Sequence, residues 1–282
     1  MKLIRFGEPN NEKPGVIINE NYFDVSSYVN DYDETFFADE GLSYLKEIIA
    51  EAELQAIEKN IRLGPPVARP SKIICIGLNY SDHAAESKMA VPTEPVIFFK
   101  STSAITGPND SLIIPRNSTK TDWEVEFAFV ISKKANYINE EQAMDHVAGY
   151  VLHNDYSERE FQLERGGQWV KGKSCDTFAP LGPFLATRDE IEDINNLNLW
   201  LKVNGITMQN GNTKNMIFKI PLLVSYISQF MTLLPGDIVS TGTPAGVGMG
   251  QKPNPVYIKA GDIIESGIDG LVSSKQIAIA YQ

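Results

Sequence analysis

The sequence predicts an α+β protein rich in β-strand, in which a small N-terminal α+β domain precedes a large domain with rolled or sandwiched sheets. Nine short apolar runs after residue 70 have the length of strands, and four helical stretches accompany them. Because these strands do not alternate strictly with helices, a doubly wound parallel sheet is disfavoured. The 282 residues suffice for a full core in one large domain with a small partner domain.

The small domain is predicted at residues 1–62, where a hairpin signal comes before one helix. Apolar residues at 16–18 and 22–25 flank a polar turn at residues 19–21. Over residues 41–58, leucine and isoleucine recur near helical spacing, so we expect a helix there.

A linker is predicted at residues 63–70, because this stretch contains three prolines and one glycine. Proline removes a backbone donor and fixes φ, so the stretch can continue neither a helix nor a central strand. The large domain is then expected at residues 71–282. Its predicted strands are 73–76, 96–99, 112–114, 124–131, 147–152, 199–203, 238–240, 256–258 and 263–265, and its predicted helices are 81–88, 139–146, 157–164 and 219–231.

Composition excludes several classes of partner. Lys and Arg number 25 against 36 Asp and Glu, a net charge of −11, and we expect no nucleic-acid partner because such binding needs clustered basic residues. No stretch approaches the roughly 18 apolar residues of a membrane span, so no membrane partner is expected. Cys75 and Cys175 lack the spacing of a zinc site or a disulfide framework, and we expect a cytoplasmic protein.

Two glutamates stand two residues apart at the start of the predicted strand 124–131. Because residues i and i+2 of a strand point to the same face, Glu124 and Glu126 are expected side by side. Two like charges at that distance repel unless a cation or water separates them, and a divalent metal ion would resolve the conflict. The alternative is the ordinary solvent face of an amphipathic strand.

Asp155 comes about thirty residues later, where the apolar run 147–152 ends in polar residues. Three carboxylates that leave half of an oxygen-rich coordination sphere open suit Mg²⁺ or Mn²⁺. The alternative is that Asp155 caps a helix starting near Ser157. His146 and His153 are expected to be surface or core residues rather than ligands, because neither lies on the face of the two glutamates.

His83 and Glu86 are spaced i, i+3 in the predicted helix 81–88, which places imidazole and carboxylate on one helical face. A carboxylate bonded to one ring nitrogen fixes the tautomer and leaves the other nitrogen to take a proton from water. The pair is therefore a candidate general base. A surface His–Glu pair on a short exposed helix is the alternative.

Two further segments are polar or rich in small residues. Lys173 lies in a loop framed by glycine and proline at residues 172–183. Residues 241–248 end a predicted strand in small residues whose backbone N–H groups could bind an anion. This second loop lacks the Lys-Ser/Thr of a P-loop and no βαβ unit surrounds it, so taken alone it is a turn.

Five ordered strings resemble motifs of the fumarylacetoacetate hydrolase superfamily over about residues 70 to 280. They are GLNYSDHAAE, DWEVEFAFVI, NDYSEREFQ, KGKSCDTFAPLGP and PGDIVSTGTPAGVG. The resemblance implies a mixed β-roll catalytic domain behind a small N-terminal domain, and a homodimer or a multiple of it. It also implies Mg²⁺ or Mn²⁺ held by Glu124, Glu126 and Asp155.

The same resemblance assigns roles to further residues. His83 and Glu86 look like a lid dyad that activates water, and Lys173 like a catalytic residue in contact with substrate. Arg159, Gln162 and Thr243 look like substrate contacts.

Within the superfamily, GPPV, ERGGQW and NTKNMIF look most similar to bacterial enzymes acting on 2,4-diketo-3-deoxy sugar acids of the rhamnonate and fuconate type. The implied substrate is a 2-oxo or 2,4-dioxo acid whose C3–C4 bond is hydrolysed to give pyruvate and a carboxylic acid. Acylpyruvate hydrolases, oxaloacetate decarboxylases and isomerases of unsaturated 2-oxo diacids remain open alternatives. A non-enzymatic 2-oxo-acid binding protein is disfavoured, because it would not need the dyad.

Overall fold

The computed structural model describes residues 1–38, 40–86 and 90–282. In chain order its strands are Lys2–Phe6 (β1), Lys13–Ile18 (β2), Asn21–Asp24 (β3), Gln55–Ile57 (β4), Leu63–Gly64 (β5), Ile73–Gly77 (β6), Val96–Lys100 (β7), Ile105–Thr106 (β8), Leu112–Ile114 (β9), Thr121–Asp122 (β10), Val125–Ile131 (β11), Val147–Asn154 (β12), Ser157–Glu158 (β13), Ala179–Pro180 (β14), Leu185–Thr187 (β15), Asn198–Val203 (β16), Ile206–Asn212 (β17), Ile238–Ser240 (β18), Ile263–Ile268 (β19) and Val272–Ala280 (β20). Its α-helices are Glu34–Ala38 (α1), Gly41–Glu51 (α2), Ser81–Glu86 (α3), Glu140–Ala143 (α4), Val170–Lys173 (α5) and Ile220–Ser228 (α6).

A large mixed sheet forms the centre of the molecule. It has eleven strands in the order β4-β3-β2-β1-β15-β12-β11-β18-β6-β7, and β5 pairs with β1 outside this order. A second sheet has the order β17-β16-β19-β20-β9, and two strand pairs stand apart from both sheets. The predicted α+β, β-rich fold is confirmed.

The core is densest along β11 and β12, whose residues are all buried. Because side chains on both faces of each strand are buried, both faces are covered, and the sequences are nearly continuous apolar runs. A polar side chain on either strand must therefore find a partner inside the protein. No helix among the described residues is long and apolar enough to cross a membrane.

The N-terminal strands are continuous with this sheet. The predicted hairpin is β2–β3, and β1, which the sequence did not suggest, joins it to β15 through the register Leu3↔Leu185. Residues 63 and 64 of the predicted linker form β5 against β1. The boundary between a domain at 1–62 and one at 71–282 stays a prediction.

Three predicted elements differ from expectation: one helix ends early, another has a different conformation, and one strand does not form among the described residues. The helix predicted over residues 41–58 stops at Glu51, because residues 55–57 pair with β3 and satisfy their backbone groups there. The predicted helix 157–164 is the two-residue strand β13 followed by a π-helical turn at Glu160–Glu164. The predicted strand 256–258 is absent from the described structure, since Val256 donates to the Gly248 carbonyl and Ile258 to the Thr121 carbonyl without forming a ladder.

The predicted helix 81–88 corresponds to α3, which ends at Glu86, and residues 87 and 88 lie outside the described residues. The sequence also missed β15, β17 and β20. Those strands are short or exposed on one face, so their apolar residues do not form a continuous run.

Candidate metal and catalytic site

Three carboxylates predicted as metal ligands converge at one end of the β11–β12 pair. One oxygen atom from each of Glu124, Glu126 and Asp155 lies within 4.8 Å of the others. The antiparallel register sets Glu126 opposite His153, and the backbone N–H of Asp155 donates to the Glu124 carbonyl at 2.8 Å. The triad is buried, with exposures of 6%, 2% and 0%, which contradicts the solvent-face alternative for the two glutamates.

Buried cations bind two of the three carboxylates. Lys173 Nζ lies 2.6 Å from Glu124 Oε2 and 2.8 Å from Asp155 Oδ2. Lys100 Nζ lies 2.5 Å from Asp155 Oδ1, and Arg159 Nη2 lies 2.7 Å from Glu124 Oε1. Because the Asp155 carboxylate is engaged by two lysines and residues 157–158 are strand, the helix-cap alternative is wrong.

Glu126 differs from its two neighbours in its partners. Its Oε2 accepts from Ser240 Oγ at 2.5 Å and from the Gly242 backbone N–H at 3.0 Å, and no cation binds it among the described residues. Burial, with the nearby charges of Asp155 and Glu124, raises its pKa well above the ordinary value.

The pKa values of the other two carboxylates are lowered. Burial alone would raise both, but Lys173 and Arg159 outweigh it at Glu124, and Lys100 and Lys173 outweigh it at Asp155. Among the described residues, the cluster therefore holds two carboxylates bound by cations and one, Glu126, that no cation binds. Three convergent carboxylates of this kind fit a hard divalent cation, for which oxygen donors are the preferred ligands.

The His–Glu dyad lies on α3. His83 Nδ1 and Glu86 Oε2 are 3.2 Å apart, and Glu86 Oε1 accepts from the Gly246 backbone N–H at 3.0 Å. Both side chains line a cavity of about 440 Å³ that Glu124 and Glu126 also line. His83 is only 8% exposed, so the surface-pair alternative does not describe it.

Arg159, Gln162, Thr243 and Lys173 line the same cavity. Arg159 is held by three side chains, since it donates to Asp122 through Nε, to Gln162 Oε1 through Nη1 and to Glu124 through Nη2. Because arginine only donates, Gln162 must accept through its oxygen, and its amide N–H₂ has no partner within the described part of the chain. These contacts make Arg159 a residue that orients its neighbours as well as one that lines the cavity.

Thr243 is similarly engaged within the protein. Its hydroxyl donates to the Val125 carbonyl at 2.9 Å and accepts from Gln209 Nε2 at 2.8 Å. The Thr243 hydroxyl proton therefore already has an acceptor within the protein and is not available to a ligand. Gln209 was not singled out in the sequence, because it belongs to β17, which showed no strand signal.

Sequence reasoning also missed Lys100 and Ser240. Lys100 ends the apolar strand β7 and is 3% exposed, and a charged residue at the end of an apolar run was the available signal. His153 is a buried residue, as expected, and burial lowers its pKa to about 3. Its Nδ1 lies 2.7 Å from Ser240 Oγ, which connects it to Glu126.

Several backbone N–H groups in the loop at residues 241–248, and in Met249 next to it, already donate to carboxylates of the protein. These groups therefore do not bind an external anion. Gly246 donates to Glu86, and Gly248 and Met249 donate to the buried carboxylate of Asp122 at 2.6 and 3.0 Å. The loop therefore joins Glu86 of the dyad to Asp122 of β10, two residues before Glu124. The apolar wall of the cavity is formed by Ile76, Leu78, Phe98, Leu163, Trp169, Val247 and Met249.

Comparison with known proteins gives matches along the whole chain. A family model described as fumarylacetoacetate (FAA) hydrolase C-terminal matches residues 72–277. A protein of Burkholderia multivorans with a provisional name as a hydrolase is 51% identical over 281 residues, which cover 99% of each chain.

Two solved structures are similar over nearly their whole length. Maleylpyruvate hydrolase from Sphingobium sp. SYK-6, solved with manganese(II) and pyruvate, superposes with a TM-score of 0.82 at 28% identity and full coverage of both chains. The 2-hydroxyhepta-2,4-diene-1,7-dioate isomerase of Mycobacterium marinum gives 0.77 at 30% identity, covering 99% of this chain and 98% of that one. The family model and the full-length relative together show that the chain belongs to the fumarylacetoacetate hydrolase family.

Proposed function

We propose that the protein is a Mg²⁺- or Mn²⁺-dependent hydrolase that cleaves the C3–C4 bond of a 2,4-dioxo acid to pyruvate and a carboxylic acid. The observation that carries this proposal is a buried carboxylate triad and a His–Glu dyad around one cavity. Such a reaction needs both, because carboxylates hold a hard cation and a base activates water. The manganese ion and pyruvate bound to the Sphingobium relative support the same ion and product class here.

Glu124, Glu126 and Asp155 would hold the ion. When bound, a divalent cation polarises substrate oxygens and offsets the negative charge that develops on them. Lys100 and Lys173 keep Asp155 ionised and fixed, and Arg159 and Lys173 do the same for Glu124. The chain thereby presents these two ligands ionised and oriented before any substrate arrives.

His83 would act as the general base. Glu86 accepts its Nδ1–H, which leaves Nε2 to take a proton from a water molecule as the water oxygen bonds to C4. The resulting C4 oxyanion collapses to the carboxylic acid, and the electron pair of the C3–C4 bond passes to the enolate of pyruvate. The proton held on His83 then reaches C3, so pyruvate leaves with the hydrogen that water supplied.

The oxyanion would be stabilised by Gln162 and Lys173. Arg159 fixes the oxygen of Gln162, whose amide N–H₂ has no partner among the described residues, and Lys173 is a buried cation beside the triad. Donors held in place before the reaction stabilise developing charge without reorganising.

The substituent of the substrate beyond C4 distinguishes the finer substrate classes. Sequence similarity favours a 2,4-diketo-3-deoxy sugar acid, with an acylpyruvate as the other member of the same reaction class. Decarboxylation of oxaloacetate or isomerisation of an unsaturated 2-oxo diacid is the second candidate function, and similarity to the Mycobacterium marinum isomerase favours the latter.

A substrate panel tests these alternatives. Purified protein is assayed with Mg²⁺, Mn²⁺ or EDTA on acylpyruvates, 2,4-diketo-3-deoxy sugar acids, oxaloacetate and an unsaturated 2-oxo diacid. We expect equal amounts of pyruvate and carboxylic acid from a 2,4-dioxo acid. This cleavage should be lost with EDTA and in Glu126→Gln, and it should be retained in the control Glu141→Gln, whose residue is exposed. Cleavage that survives full chelation would overturn the metal-dependent mechanism.

We also propose a cytoplasmic homodimer. The dimer follows from the family resemblance, and the location from an acidic composition with two cysteines that form no disulfide with each other. Light scattering coupled to gel filtration measures the assembly, and a monomer of 31.3 kDa at micromolar concentration would contradict it.

A further inference from the structure

A chain of three buried side chains ends on Glu126. His153 Nδ1 lies 2.7 Å from Ser240 Oγ, and Ser240 Oγ lies 2.5 Å from Glu126 Oε2. The exposures of His153, Ser240 and Glu126 are 0%, 0% and 2%. We call these three side chains the relay.

Three adjacent strands of the large sheet supply the relay. Glu126 lies on β11, and His153 lies opposite it in register on β12. Ser240 lies on β18, opposite Ala128 of β11. Central strands hold side chains more tightly than loops do, so the geometry of the relay is fixed by the sheet.

The donor and acceptor in each hydrogen bond of the relay follow from the chemistry of Glu126, the last residue of the chain of contacts. Glu126 must be ionised to bind a cation, and an ionised carboxylate only accepts, so in that state Ser240 donates its hydroxyl proton to Glu126 Oε2. The serine oxygen then accepts from His153, which fixes the neutral tautomer with the proton on Nδ1. His153 Nε2 has no partner within the described residues, so the hydrogen bond to Ser240 is the polar contact that orients the ring.

The relay acts on one oxygen of Glu126 and leaves the other available. Oε2 takes both donors, Ser240 Oγ and the Gly242 N–H, whereas Oε1 has no donor among the described residues. At Glu124 and Asp155, by contrast, each oxygen is bound by a lysine or arginine. Glu126 is thus the triad member whose orientation depends on neutral donors.

We propose that Ser240 and His153 are positioning residues that hold Glu126 so that its Oε1 is presented to the divalent cation. This inference rests on the proposed metal site and extends it to two residues outside the carboxylate triad. Partners that orient metal ligands in this way commonly contribute about 10–100-fold to metal affinity.

The test measures Mn²⁺ affinity directly, by titration calorimetry and by the electron paramagnetic resonance signal of free Mn²⁺. Ser240→Ala removes the donor to Glu126, and Ser266→Ala is the matched control, because Ser266 is also buried and hydrogen-bonded to a single hydroxyl, that of Ser274. We expect Ser240→Ala to raise the Kd for Mn²⁺ by about 10–100-fold and Ser266→Ala to leave it unchanged.

Two substitutions of His153 separate hydrogen bonding from packing. His153→Leu fills most of the ring volume but cannot donate, whereas His153→Asn leaves space but places an amide N–H near the position of Nδ1. The relay predicts a weaker Kd for the leucine variant and a Kd near wild type for the asparagine variant. A purely structural role predicts the reverse order of affinities, because the smaller asparagine side chain leaves an unfilled space in the core.

The outcomes are distinct. An unchanged Kd in Ser240→Ala, or a leucine variant that binds as well as the asparagine variant, overturns the relay while leaving the metal site intact. Wild-type protein that binds no Mn²⁺ overturns both the relay and the proposed function. Circular dichroism of each variant confirms that the comparison is made on folded protein.

Discussion

Asp122 accepts the Nε–H of Arg159 at 2.7 Å, and both side chains are buried. The same carboxylate accepts the backbone N–H groups of Gly248 and Met249. Arg159 in turn contacts Glu124 of the triad. Asp122 therefore ties a metal-ligand candidate to the loop that carries the partner of Glu86.

Asp122→Asn should test this connection. An asparagine keeps one oxygen to accept from Gly248, but its amide N–H₂ then faces the N–H donors of Met249 and Arg159. Arg159 is left with one carboxylate in place of two, and breaking a buried pair costs roughly 3 kcal/mol. We expect a lower free energy of unfolding in urea and a fall in kcat/KM of about 10²-fold, because Arg159 orients Gln162. The exposed control Asp145→Asn should change neither, and a wild-type kcat/KM in Asp122→Asn would contradict the positioning role.

The pKa of Glu126 predicts a pH dependence of metal affinity. Its pKa is raised by burial and by Asp155 and Glu124, so lowering the pH protonates it and removes a ligand. Calorimetry between about pH 8 and about pH 5 should therefore show a Kd for Mn²⁺ that rises as pH falls. Glu126→Gln should weaken binding and flatten this dependence. Glu124→Gln should weaken binding and keep it, because the pKa of Glu124 is lowered; equal slopes in both variants would refute the assignment.

His83→Ala should separate hydrolysis from reactions that need only the ion. Loss of a general base commonly costs about 10²-fold or more in rate, so we expect that loss in 2,4-dioxo acid cleavage. Mn²⁺ affinity and any oxaloacetate decarboxylation should change much less, since His83 forms no hydrogen bond or ion pair with the triad among the described residues. An equal loss in both reactions would mean that His83 has a role other than activating water. No loss in either would return His83 and Glu86 to a structural pair.

Gly250→Ala should displace Glu86 without unfolding the protein. A Cβ built on Gly250 would lie 2.6–2.9 Å from the carboxyl atoms of Glu86, and these atoms end a side chain that can move away. We expect nearly unchanged thermal stability and a kcat lowered toward that of Glu86→Gln. In a double-mutant cycle, Gly250→Ala should add little to Glu86→Gln, because both remove the same contact. Additive losses would show that Gly250 acts elsewhere.

The sequence by itself determined the features that depend on local geometry. Alternation along a strand placed Glu124 and Glu126 on one face, and helical spacing paired His83 with Glu86. Both arrangements occur in the structure because residues two apart in a strand, or three apart in a helix, are neighbours whatever the rest of the chain does. The β-rich fold class followed in the same way from counting apolar runs.

Tertiary structure decided which distant residues meet these groups. Lys100 and Asp155 are 55 positions apart, and Ser240 and Glu126 are 114 apart, so no local pattern could pair them. The same reason explains residues 55–57, where pairing with β3 overrides helical periodicity. The charge balance of the site depends on strand order in the large sheet, because burial makes each carboxylate depend on the cation or donor that the fold brings beside it.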